Sequence, residues 1–380
     1  MHFNNKSYWE SYLLEDIDYL IVGGGIVGLT CGIALKSKLP KARVVVLERG
    51  NWPSGASIKN AGFACFGSVS ELLDDAKSHT QDQLIALIRQ RAQGLKLLKT
   101  IVTPEAMDYQ GYGGYEYFLN HQKHLAQECF DVLDWANKLA KEALKTTEEV
   151  YALVDNVYGF GGVGSRGIFN KFEGQIHTGR LMEALSVKAS SSGVQFIGGV
   201  KALSHQAQGN QIIVQTQDHG PIKTKKLLLA TNGYTRDYLP DLVTPARAQV
   251  LITEPIDGLK IKGTFHLDQG YYYFRNIDQR ILLGGGRNLD FKGETTTLEQ
   301  TSEKIQGALE AILKEVILPG KKAAISARWS GIMGVGPQKK PIIKALAPNV
   351  YCGIRLGGMG VAIGAEVGQK LADLASKQLD

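Results

Sequence analysis

Along the chain, short and mostly apolar runs alternate with stretches whose apolar residues recur every three or four positions. The first pattern predicts strands buried on both faces, the second amphipathic helices. Residues 17–22 form an apolar run that enters a glycine cluster. Residues 29–35 continue at helical spacing, and residues 44–47 form a second apolar run. Between 70 and 100, Leu72, Leu73, Leu84, Leu87, Ile88, Leu95 and Leu98 predict helices. Residues 112–119 predict a strand and 121–144 a helix, and a further helix over 178–192 has Thr178 as its N-cap. Strands are predicted over 194–200, 212–216 and 226–231, then over 250–253, 271–275 and 281–284. Residues 297–316 predict a helix, and 350–379 a strand, a glycine loop and a last helix. Alternation over 271–275 puts Tyr271, Tyr273 and Arg275 on one face, with Tyr272 and Phe274 on the other.

The first two apolar runs carry the most informative motif. Gly23, Gly25 and Gly28 form Gly-x-Gly-x-x-Gly between strand and helix, and the second strand ends on Glu48. The spacing suits a dinucleotide: a tight turn at Gly23, close backbone approach to a pyrophosphate at Gly25, and helix–strand packing at Gly28. The helix N-terminus points free N–H groups at the phosphates, and Glu48 is placed to accept a ribose hydroxyl. A chain of 380 residues suits two domains. A β-rich stretch separates the pieces of the Rossmann-like framework, which fits a flavoprotein better than a nicotinamide dehydrogenase. The expected class is therefore α/β. A Rossmann-like FAD-binding domain is assembled from 1–98, 163–236 and 326–380, and a mostly antiparallel substrate domain with helices from 99–162 and 237–325.

Composition removes other classes. The net charge of +6 is dispersed, without the basic, aromatic-interleaved face of a nucleic-acid binder. Cys31, Cys65, Cys129 and Cys352 lack the spacing of a metal site or a disulfide framework. No stretch has the length and apolarity of a transmembrane helix, and residues 1–16 read as neither signal nor transit peptide. A reducing cytoplasm is the expected compartment.

Three further segments join the dinucleotide motif. They are Gly55-Ala56-Ser57-Ile58-Lys59-Asn60-Ala61-Gly62-Phe63, Leu229-Ala230-Thr231-Asn232-Gly233-Tyr234, and 351–364 with Gly357-Gly358-Met359-Gly360. In this order, and across nearly the whole chain, they resemble the D-amino-acid-oxidase-like FAD-dependent oxidoreductases, which include glycine oxidase, sarcosine oxidase and γ-glutamylputrescine oxidase. The resemblance implies FAD held by Gly23, Gly25, Ile26, Val27, Gly28, Glu48 and Arg49. It implies flavin contacts from Gly55, Ala56, Ser57, Lys59, Asn60, Ala61 and Gly62, and from Val200, Thr231 and Gly233. Gly357, Gly358, Met359, Gly360 and Val361 complete the set. Relatives that attach FAD covalently use a histidine where this chain has Lys59, or a late cysteine, and 328–337 contains none. Non-covalent FAD is expected.

The resemblance also implies oxidation of an amine or amino acid, with hydride passing from the α-carbon to flavin N5 and then to dioxygen or another carrier. The flavin carries the chemistry, so no catalytic side chain is assigned. A flavin-dependent dehydrogenase of a hydroxy compound, such as glycerol 3-phosphate or a 2-hydroxy acid, is the alternative. The chain departs from its relatives in the final loop, which lacks glycine oxidase's carboxylate-anchoring arginine, and at Leu282, where sarcosine oxidase has a lysine. Substrate-binding candidates are Arg287, Arg355, Tyr271 and Tyr273. Lys59 lies near the ring or points to solvent. His177 reads as a cap or an interdomain contact, His266 has no supporting context, Cys65 reads as a small buried residue, and Trp329 and Met333 pack near the pocket wall.

Overall fold

The computed structural model describes residues 7–377 apart from 238, 239 and 241. Its first sheet has a parallel core in the order Val350–Ile354, Pro221–Leu229, Ile17–Val22, Val44–Leu47, Gln195–Ile197. Leu20, Ile21, Val45 and Val46 are fully buried, as strands covered on both faces require. The helices Ile26–Lys38, Thr178–Ser191 and Gly360–Ser376 cover one face. The other face packs on Ile212 and Val214 of an antiparallel meander rather than on helices.

Strand Pro221–Leu229 serves both structures. Its half-polar start pairs antiparallel with Gln211–Thr216, and its apolar end pairs parallel with the strands Ile17–Val22 and Val350–Ile354. Only that end is fully apolar, and for this reason the pattern signals a strand from Lys226 onward.

The second sheet has eight strands, ordered Ile325–Val335, Thr244–Thr253, Arg280–Gly285, Tyr272–Ile277, Thr264–Leu267, Gly114–Glu116, Arg166–Asn170 and Tyr151–Asp155. All pairs are antiparallel except Thr264–Leu267 with Gly114–Glu116. Arg166–Asn170 and Ile325–Val335 thus belong to this sheet, although their stretches of sequence lie mostly with the dinucleotide-binding segments. Tyr272 and Phe274 face a core with Phe265, Tyr117 and the helix Glu303–Ile312, as the alternation predicts. Phe265 and Phe274 stack at 4.6 Å. Tyr273 and Arg275 face the first sheet's domain, where the cavity lies.

Three predicted elements differ in detail. The helix over 121–144 is two, Lys123–Asp131 and Leu133–Leu144, broken at Val132 (φ −99°, ψ 12°). The break turns Ala136, Leu139 and Ala140 onto the helical core around Leu84 and Ile88. The helix over 297–316 starts only at Glu303, because Ser302 N–H is taken by Gln249 Oε1 at 2.9 Å and the preceding residues cross to the other domain. The cap of Thr178–Ser191 is His177, whose Nδ1 accepts the Arg180 N–H at 3.2 Å. Thr178 Oγ1 instead donates to Asn60 Oδ1 at 3.1 Å. Among the described residues no helix is long and apolar enough to cross a membrane.

Candidate active site

A cavity of about 800 Å³ lies where the parallel strands end and the second sheet crosses them. That is within the range of ligand and cofactor pockets and at the edge of an open parallel sheet where such ligands bind. Gly23 turns with φ +110°, and a Cβ there would meet Ala230 O at 2.7 Å. A Cβ on Gly28 would lie 1.9 Å from Gly23 O, so helix Ile26–Lys38 starts against the turn only with glycine there. Gly23, Gly25, Ile26 and Val27 line the cavity, while Gly28 stands behind them.

Glu48 is buried in this wall and already engaged. Its Oε2 accepts Gly24 N–H at 2.9 Å, and its Oε1 accepts Ser54 Oγ–H at 2.8 Å and Gly50 N–H at 3.1 Å. A carboxylate offers about four acceptor sites, so one ribose hydroxyl still fits. Ser57 Oγ takes the Ile26 N–H at 3.0 Å, tying the second cofactor segment to the helix start. Glycine cradle, open helix N-terminus and acid together suit an adenine dinucleotide.

Gly55, Ala56, Ser57, Lys59, Asn60, Ala61 and Gly62 line the same cavity. Asn60 holds their turn, accepting Gly62 N–H at 2.8 Å and donating to Ser57 O at 2.7 Å. Arg275 supports it from behind, donating to Ile176 O at 2.8 Å and Gly62 O at 3.3 Å. Lys59 and Arg49 both pair with Glu299, which also accepts the Tyr234 hydroxyl. Glu299 belongs to the stretch in which the sequence predicts a helix. Burial and the neighbouring Arg49 lower the Lys59 pKa. Val200, Thr231, Gly357, Gly358, Met359, Gly360 and Val361 also face the cavity. Gly233 does not; it packs on the Met333 backbone, where a Cβ would come within 2.5 Å of the carbonyl oxygen.

At the inner end, one row crosses the second sheet through residues paired strand to strand: Glu116, His266, Tyr273, Gly284, Val250 and Trp329. Gly284 makes room for the Tyr273 ring, since a Cβ there would lie 2.5 Å from it. Burial pushes the Tyr273 phenol up to about 12, so it stays a neutral donor. Tyr271 and Arg287 line the cavity beside it. The half-buried Arg287 guanidinium lies 4.8 Å over Phe291 and has no ion pair among the described residues. Leu282 is buried beneath, with Ala61 and Val250.

Arg355 is a correction. It lies outside the cavity wall, with φ +62° and its guanidinium donating twice to Lys340 O, at 3.1 and 3.2 Å. The left-handed backbone turns its side chain toward 336–340 and away from the cavity. His266 is a correction in the other direction. It is nine-tenths buried in the wall, edge-on to Phe63 at 5.2 Å, with Nε2 lacking a hydrogen-bond partner. Phe63, the end of the second motif segment, lines this end too, as do Glu71, Gln269 and Lys339, which the sequence patterns do not single out. A capping-box spacing, Ser68 to Glu71, was the only available signal for Glu71. Cys65 lines the cavity as a buried thiol, its pKa raised chiefly by burial. Met333 lines the wall, and Trp329 Nε1 donates to Lys59 O at 2.9 Å.

Behind this end lie two buried carboxyls. Glu116 accepts Val69 N–H at 3.0 Å and Glu173 accepts Phe66 N–H at 3.0 Å, so both hold the loop leading to Glu71. Burial pushes Glu116 up to about 7 and Glu173 up to about 8. Both therefore bind protons more tightly in the folded chain. Their contribution is complete below the ordinary carboxyl range and is lost as pH rises through about 7 and about 8. The melting temperature should fall between pH 6 and pH 9, by the equivalent of about 4 kcal/mol. Thermal melts of the Glu116→Gln, Glu173→Gln double variant should show a flatter profile. A wild-type profile that rises over this interval would contradict the assignment.

The comparisons with known proteins agree with this geometry. The chain is 23% identical over 382 residues to the probable oxidoreductase OrdL of Rhizobium meliloti (strain 1021), covering 96% of this chain and 84% of that protein. Its fold is similar to the crystal structure of glycine oxidase from Geobacillus kaustophilus (TM-score 0.74, 16% identity, 96% and 95% of the two chains). It is also similar to L-proline dehydrogenase from P. horikoshii (TM-score 0.73, 18% identity, 95% and 94%). Residues 18–374 match the family described as FAD dependent oxidoreductase, and with the glycine cradle, the acid at the second strand and the continuous cavity in place, the chain belongs to that family.

Proposed function

We propose that the protein oxidises an amine or amino acid, with FAD held non-covalently along the cavity and the substrate between it and the row containing Tyr273. The observation that carries this reading is the unpaired guanidinium of Arg287 at the inner end of the cavity that begins at Gly23. Glycine oxidase and L-proline dehydrogenase, whose folds this chain shares, act by name on amino acids. Bound FAD supplies a hydride acceptor. Arg287 then holds a substrate carboxylate by charge-assisted hydrogen bonds, and Tyr273 donates from the neighbouring strand. The aromatic and glycine walls exclude water from the reacting carbon.

Anaerobic bleaching of the flavin, screened with amines and amino acids against 2-hydroxy acids and glycerol 3-phosphate, tests this. Reduction by the first set is expected, and reduction by the hydroxy compounds alone would overturn it.

Non-covalent binding has its own check. Cys65, the cysteine that lines the cavity, is held as a buried thiol by its raised pKa, and Lys59 stands where relatives use histidine. Acid precipitation should release all the flavin into the supernatant. A yellow denatured pellet would show a covalent link.

A further inference from the structure

Glu71 lies in the first turn of helix Val69–Ala76, and its Oε2 accepts the Ser68 N–H at 3.1 Å in a capping box. That bond fixes the carboxylate in the cavity wall. Its other oxygen has no hydrogen-bond partner among the described residues and faces Gly270, where a Cβ would lie 3.7 Å away. Burial works against ionisation of Glu71, but Arg91, Lys339 and the Ser68 N–H outweigh it and hold its pKa below the ordinary carboxyl value. The two permanent cations have partners of their own: Arg91 donates to Phe66 O at 2.9 Å, and Lys339 pairs with Asp75 at 2.6 Å.

Beside Glu71 stands His266, nine-tenths buried, with Nε2 unpartnered. Burial lowers its pKa, so the imidazole is neutral and can accept a hydrogen bond. Phe63 lies edge-on to both His266, at 5.2 Å, and Tyr273, at 5.6 Å. An ionised carboxylate, a neutral ring nitrogen and aromatic faces form a receptor for a cation.

The reacting amine cannot be that cation. It must be neutral to release a hydride, and an adjacent carboxylate would raise its pKa and hold it protonated. We propose that Glu71, with His266, binds a second, non-reacting ammonium group, so that the substrate is a diamino compound: a diamine or a basic amino acid. This rests on the amine-oxidation reading above. A carboxylate, where the substrate has one, goes to Arg287 on the far side of the turn at 268–271.

The test uses the FAD-loaded enzyme and chain-length-matched pairs under anaerobic conditions: lysine with norleucine, and α,ω-diamines with n-alkylamines. The diamino member should reach half-saturation of flavin reduction at about tenfold lower concentration. In Glu71→Gln the ratio should fall to about one. Glutamine still accepts the Ser68 N–H, so flavin content and melting temperature serve as folding controls. Calorimetric titration with tert-butylammonium, which has no α-C–H to oxidise, adds a readout without turnover. It should bind wild type and lose that binding in Glu71→Gln.

If only hydroxy compounds bleach the flavin, amine oxidation fails, and the titration still decides whether Glu71 holds a cation. Equal half-saturation within pairs in wild type, an unchanged ratio in Glu71→Gln, or titrations that show no difference between the two proteins would overturn the proposal.

Discussion

Gly25→Val should yield a folded but nearly colourless protein. Gly25 is the N-cap of helix Ile26–Lys38, and its backbone is extended (φ −80°, ψ −171°), a conformation any residue adopts. The cost comes from space alone. A Cβ at Gly25 would lie 2.6 Å from Ser57 Oγ, the atom that accepts the Ile26 N–H and ties two cofactor segments together. Valine adds two methyl groups at that point and fills the approach a pyrophosphate needs. FAD released per chain should fall at least about tenfold. Gly307→Ala is the matched control. Gly307 lies in helix Glu303–Ile312 outside the cavity wall, and a Cβ there meets nothing within 4 Å, so this variant should stay yellow. A Gly25→Val protein carrying one FAD per chain would refute the placement of the pyrophosphate against Gly25.

Arg287→Ala should weaken substrate binding by about 1.5–3 kcal/mol, roughly ten- to a hundredfold, while flavin content stays normal. Burial lowers the pKa of the Arg287 guanidinium; the Glu294 carboxylate within its field is paired with Arg247, and the Phe291 ring lies under the guanidinium. A half-buried cation without an ion pair is costly to maintain, and an anionic ligand would offset that cost. Lysine should rescue only in part, because it lacks the planar fork that meets a carboxylate with two hydrogen bonds. The half-saturation concentration for flavin reduction by a carboxylate substrate reads this directly. Arg355→Ala should leave it unchanged, since that guanidinium is bound to Lys340 O outside the cavity. A substrate dependence that follows Arg355 and ignores Arg287 would reverse the assignment.

Local features were legible wherever a residue's role depends on its near neighbours in the chain. Gly23, Gly28 and Glu48 meet within one βαβ unit, so spacing alone carries their arrangement. The alternation of Tyr271 to Arg275 likewise assigned faces, because a strand's period is two wherever it lies. It left undecided what each face meets. Arg275 shares Tyr273's side but is spent on two backbone carbonyls, Gly62 O and Ile176 O, from distant segments.

The sequence by itself determined the dinucleotide cradle, the family and the two-sheet plan, because these rest on short-range patterns and on a fixed order of motifs. The tertiary structure alone decided the inner end of the cavity. His266 comes into the wall only because its strand pairs with Tyr272–Ile277 on one side and Gly114–Glu116 on the other. Glu71 joins it from a helix far earlier in the chain. Arg287 just after one glycine run and Arg355 just before another are equally plausible as letters. One ends beside a cavity with no ion pair, and the other turns away on a left-handed backbone to a carbonyl. Cross-strand register and backbone handedness are set by packing over the whole chain, and no local pattern of residue types encodes them.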